Sequence, residues 1–187
     1  MDFNILGILR AVSKDRKSAA AVILGGVAVL ALLTGFLGQF VIFMIIVTEL
    51  VLSFFIGQFE LRQFGIELVT FVTVLSGVLY GPVIGLAVGM VLVTLRFIIT
   101  KGLGPYVAYC IPMMGVVGLL AGYSASFFGS VATAGIVLSV AYNLVTASLG
   151  TLMMHDFFEE LLWSGTNLIV NVALFSYVAP IIIGALA

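Results

Sequence analysis

Between Ala19 and Gly57 the chain runs for 39 residues with one ionisable side chain, Glu49. Apolarity on that scale belongs in a bilayer, where about 20 residues cross the hydrocarbon. One straight helix of this length would measure about 58 Å, roughly twice the thickness to be crossed. The segment must therefore break or bend, and the expected break is Gly35 to Gln39, giving spans at 19–36 and 40–57. The rest of the chain repeats the pattern. Apolar runs at 66–80, 82–99, 106–127, 131–153 and 166–186 predict five more spans.

Composition agrees with this reading. Of 187 residues, 63% are hydrophobic and 8% charged, against about 25% charged in soluble domains. A water-soluble globule and a disordered chain are both excluded. The net charge of −1 offers no basic stripe for nucleic acid. The lone Cys110 can form neither an internal disulfide nor a cysteine-based zinc site. The expected fold class is all-α, a polytopic helical membrane bundle with six or seven crossings, according to whether 19–57 passes once or twice. It forms one domain over 19–187.

Residues 1–18 mix Phe3, Ile5, Leu6, Ile8 and Leu9 with Arg10, Lys14, Arg16 and Lys17. That suits an amphipathic basic helix in the membrane interface. The apolar run that follows is too long for a signal-peptide core, so this segment is expected to be retained. With a cytoplasmic N-terminus and seven crossings, Arg62, Arg96 and Lys101 also fall inside, as the positive-inside rule asks.

Glycines recur at every fourth position, at 77, 81, 85 and 89, and again at 115, 118 and 122. Such stripes let helix backbones approach closely, either within the bundle or against another protein. Ala21 and Gly25 form a third small face, suited to a partner subunit. Pro82 fits the first position of a helix, so Tyr80-Gly81-Pro82 reads as a tight corner.

Beyond the N-terminal segment, ionisable groups other than Glu49 fall in or beside 58–67, 96–105 and 155–165. Two crossings separate each connection from the next, which places all three on one side of the membrane. Tyr106, Tyr109, His155 and Trp163 join them there, while the opposite corners carry no charge. A polar ligand would meet partners on that side alone, although loops must be polar somewhere. Glu49, near the middle of a span, should face the bundle or a partner. Arg96 either snorkels from a span end or pairs with a substrate anion. Asn167 and Asn171 share a helical face and turn amides toward neighbouring helices or a ligand. Within His155 to Glu160, helical spacing pairs His155 with Glu159 and Asp156 with Glu160, as a solvated helix end or as ligands for a cation. No phosphate loop, zinc-protease or serine-hydrolase motif is present. The chain carries no ATPase motif of its own.

Residues 64–90 (FGIELVTFVTVLSGVLYGPVIGLAVGM) and 166–180 (TNLIVNVALFSYVAP) resemble the substrate-binding S components of energy-coupling factor (ECF) vitamin transporters. An acidic residue opens a span, a Gly-Pro corner follows, and a glycine-spaced helix comes after it. The likeness extends over about 60–187. It implies a six-helix core, here with one extra N-terminal span, that captures a vitamin or other small polar molecule and topples in the plasma or inner membrane to deliver it. It also implies a transmembrane coupling subunit docked at Ala21 and Gly25, and ATPase subunits supplied by other chains. The pocket expected on this reading comprises Glu67, Arg96, Tyr106, His155, Glu159 and Asn167, with no cofactor and no resident metal. Two readings from other classes stay open. One is a membrane enzyme acting on lipid or isoprenoid substrates through Asp156, Glu159, Glu160 and a divalent ion. The other is an accessory subunit assembled through its glycine faces.

Overall fold

The structure is a computed structural model that describes residues 37–102, 104–153 and 157–186. The interfacial segment 1–18, the span 19–36, Ala21, Gly25, His155 and Asp156 lie outside the described residues. The chain divides into two compact units, Met1–Val41 and Ile42–Ala187. Of the first only 37–41 are described, and they are helical. The second holds everything that follows.

The described residues form an all-α bundle of six helices: α1 Leu37–Gln58, α2 Val69–Tyr80, α3 Pro82–Ile99, α4 Val107–Phe128, α5 Val131–Leu152 and α6 Phe157–Leu186. All but α2 are long and apolar enough to cross a bilayer. The protein is a multi-pass membrane protein. Phe54, Phe55, Val83, Leu144, Ile169 and Ile181 turn outward, as a lipid-facing surface requires. One π-helical stretch, Leu174–Val178, interrupts α6. It carries the buried Phe175 onto Phe71, with ring centroids 5.0 Å apart.

Two boundaries differ from the sequence reading. Helix α1 begins by Leu37, within the expected break, so Gly38 and Gln39 are helical. The stretch 157–165, expected as a connection, is the start of α6. The helical spacing read over His155 to Glu160 holds from Phe157 onward and runs straight into the expected last span, with Glu159 and Glu160 in the first turn, where the helix dipole favours carboxylates.

Helix α2 is the centre. It spans 12 residues, about 18 Å, and Val69 through Gly77 are all buried. A helix covered on every side sits inside the bundle. It ends at Gly81, whose φ of 96° is open to glycine at no steric cost, and Pro82 starts α3 at once.

The glycine stripes face each other. A β-carbon on Gly85 would strike the Gly118 carbonyl, and one on Gly118 would strike the Gly85 carbonyl. Gly77 meets α4 at Gly118 and Ala121, Gly89 meets it at Met114, and Gly122 abuts Pro82. The stripes on α2, α3 and α4 thus serve close packing within the chain. Gly118→Val is expected to cost about 1–3 kcal/mol by overpacking, read as a lower melting temperature in detergent. Gly165→Ala, where an added β-carbon meets nothing within 4 Å, should leave it unchanged or slightly higher.

Candidate functional site

The site grows from two buried acidic residues, Glu49 and Glu67, whose carboxylates the apolar bundle must satisfy from within. Glu49 on α1 is fully buried. Its Oε1 accepts from Arg96 of α3 at 2.7 Å and from the Ser53 hydroxyl at 2.7 Å. Its Oε2 accepts from the Leu68 backbone N–H at 2.6 Å. The other arm of Arg96 donates to the Ile66 carbonyl at 3.0 Å. Among the described residues this is the one ion pair.

Glu67 lies between the two peptides held by that pair. Its carboxylate accepts from the Thr70 hydroxyl at 2.7 Å and the Thr70 N–H at 3.1 Å, satisfying donors that the start of α2 leaves free. Asn167 of α6 donates to Glu67 Oε1 at 2.9 Å and to the Gly65 carbonyl at 3.0 Å. Thr166 accepts from the Gly65 N–H at 2.8 Å. At Gly65 a β-carbon would collide with the Trp163 carbonyl and with Asn167, so only glycine lets this loop lie on α6.

The contacts set the direction of every amide. Glu67 and the Gly65 carbonyl are acceptors, so Asn167 must offer them its Nδ2 and turn its Oδ1 inward. There Asn143 donates at 2.8 Å and Asn171 at 3.1 Å. Asn143 also donates to the Ser139 carbonyl and Asn171 to the Asn167 carbonyl. All three amides are buried.

Beside this network lies a cavity of about 330 Å³, at the low end of the range for small-molecule sites. Its walls come from the α1–α2 connection (Arg62, Gln63, Glu67), α3 (Val93, Arg96, Phe97), the α3–α4 connection, α4, α5 (Tyr142, Thr146) and the start of α6 (Glu159, Glu160, Trp163). All the connections involved lie at one end of the bundle. Arg62 donates to the Lys101 carbonyl at 3.1 Å and so joins two of them. Tyr106 donates to the Gly102 carbonyl, and its ring meets Phe97 edge-on at 5.4 Å. Burial pushes the Tyr106 phenol above its ordinary pKa, against the opposing pull of Arg62. Its hydroxyl stays protonated at neutral pH, a donor to the loop carbonyl.

Of the six residues expected to form a pocket, Glu67, Arg96, Tyr106 and Glu159 line this cavity. Asn167 does not reach its wall but holds Glu67 from behind. His155 lies outside the described residues. Arg96 is not free, because its guanidinium is committed to Glu49, Ser53 and Ile66. Sequence reasoning missed Phe97, Thr100, Met114, Tyr142 and Thr146. Helical spacing held the signal: Val93, Arg96 and Phe97 of α3 form one stripe with Thr100 at its C-cap, and Tyr142 and Thr146 form one of α5. Among the described residues no group of three or more His, Cys, Asp or Glu side chains is placed to hold a metal ion.

Comparison with protein-family models, curated proteins and solved structures gave no match.

Removing one partner of a buried ion pair strands the other. Arg96→Met is therefore expected to cost about 3–5 kcal/mol of stability, while the double variant Glu49→Met with Arg96→Met recovers most of that loss. Denaturant or thermal unfolding in detergent measures both. A double variant no more stable than Arg96→Met would mean that the pair is not what α1 and α3 depend on.

Proposed function

We propose that the protein is a membrane-embedded binding subunit for a small polar molecule, working as the S components of ECF vitamin transporters do. The cavity is the observation that carries this reading. A space of about 330 Å³ gathers Glu67, Glu159, Glu160, Arg62 and Arg96 with five aromatic rings, in a chain where only 8% of residues are charged. Ionisable side chains are costly in lipid and cluster where a polar cargo passes. The position of the cavity, among alternate connections at one end of the bundle, suits a ligand taken from the water on one side. On this reading the ligand crosses as the bundle reorients in the cell membrane, and energy comes from a coupling subunit and ATPases on other chains. This chain performs no chemical step.

Trp163 is the only tryptophan in the chain and lines the cavity, so its emission reports on occupancy. In purified protein, a panel of vitamins and small ring compounds should include at least one member that changes Trp163 emission saturably and raises the melting temperature. No response from any member would defeat the proposal. Sidedness is a second check. Import requires the charged connections to face outward, which holds if 19–57 crosses once or the N-terminus lies outside and not if seven spans start from the cytoplasm. Cysteines placed at Arg62 and Phe158 in a Cys110→Ser background should therefore react with impermeant thiol reagents added to the outside of intact cells. Labelling only after permeabilisation would place the cavity mouth in the cytoplasm and exclude import by this route.

A further inference from the structure

We infer that the molecule this cavity takes is an organic cation, its positive charge on or beside an aromatic ring and seated against Glu67. The inference rests on the binding-subunit reading and adds the ligand's charge to it.

The deep wall supplies the argument. Two charged side chains are buried there, Arg96 and Glu67, and they are not equivalent. Arg96 is neutralised by Glu49 at 2.7 Å, and its other arm is taken by the Ile66 carbonyl. An anionic ligand would have to compete with that pair. Glu67 has no cation within 4.0 Å among the described residues. Its Oε1 collects the Thr70 hydroxyl and the Asn167 amide, but its Oε2 receives only the Thr70 N–H at 3.1 Å. Among the described residues that oxygen keeps acceptor capacity, on a side chain that lines the cavity. Phe97, Tyr106, Tyr109, Tyr142 and Trp163 line the same space, and aromatic faces attract cations most strongly where water is excluded. Arg62, the other cation on the wall among the described residues, is exposed at the mouth. It can meet an anionic tail but not the buried end of a ligand.

Three pyridines that differ in charge test this: 1-methylnicotinamide as the cation, nicotinamide as the neutral form and nicotinate as the anion. With the full-length protein, binding is measured by calorimetry and by thermal stabilisation. The expected order is cation tightest and anion weakest. Glu67→Gln keeps an oxygen for Asn167 and Thr70, and should reduce the preference for 1-methylnicotinamide over nicotinamide by about tenfold or more. Nicotinate binding tightest, or a cation preference unchanged in Glu67→Gln, overturns the inference. If Glu67→Gln does not fold, the wild-type order decides alone. Should only larger members of the vitamin panel bind, the same ranking is read among them. A neutral or anionic compound at its head defeats the inference and leaves the binding-subunit reading standing. Binding by none defeats both.

Discussion

A carboxylate and a guanidinium buried together in a membrane bundle organise this structure. Such a pair is costly to desolvate and is tolerated only when its remaining donors and acceptors are satisfied. Here two of the groups that satisfy it are backbone: the Ile66 carbonyl on Arg96 and the Leu68 N–H on Glu49. The ion pair therefore joins α1 to α3 and also grips the connection just before α2, on both sides of Glu67. With the neighbouring peptides held, the Glu67 carboxylate is confined to the region between the start of α2 and Asn167. Charge neutralisation in one place sets the position of a second charge a residue away.

From Glu67 the constraint travels by hydrogen-bond polarity. An asparagine amide has an accepting and a donating end, and a carboxylate beside it leaves one orientation. Asn167 obeys Glu67, and Asn143 and Asn171 obey Asn167. The relay runs from the connection before α2 to α5 and α6; among the described residues it has no cationic partner, and the Oδ1 atoms of Asn143 and Asn171 are buried without a donor. A buried network in low dielectric holds its members rigidly when satisfied and is costly where it is not. The satisfied part of the network, Glu67 with Thr70, Asn167 and the Gly65 carbonyl, fixes the wall of the cavity, whereas Glu159 is exposed.

Much of this was legible in the sequence because lipid makes polarity expensive. The helices from α2 onward, the Gly81-Pro82 corner and the end of the bundle that gathers the ionisable groups all follow from counting apolar runs and locating the few charges. Glu67, Arg96, Tyr106 and Glu159 could be placed at one site for the same reason. Pairing was not legible. Arg96 is 47 residues from Glu49, and nothing in composition or spacing says that the guanidinium turns to α1 rather than to the cavity. The start of α6 was legible in part: helical spacing was read over His155 to Glu160, but the two glutamates set Phe157 to Gly165 apart from the apolar run at 166–186, so the two were not joined into one helix. The apolar and small polar lining at Val93, Met114 and Thr146 resembles any other helix face until the cavity singles it out.

The cavity itself follows from a gradient of side-chain size along two facing stripes. On α3 the positions 85, 89, 93 and 97 are four apart and share a face; they read Gly, Gly, Val, Phe. On α4 the matching face, extended back one turn, runs Gly122, Gly118, Met114, Cys110, Tyr106. At the Pro82 end the glycines bring the backbones into contact, Gly85 against Gly118. At the other end Val93, Phe97, Met114, Cys110 and Tyr106 all line the cavity. Close packing of backbones at one end thus gives way to bulky side chains at the other, where the cavity lies. The stripe that closes the bundle at Gly85 and Gly118 therefore runs on into the wall of the cavity, and glycine gives way to larger residues between Gly89 and Val93 on α3 and between Gly118 and Met114 on α4.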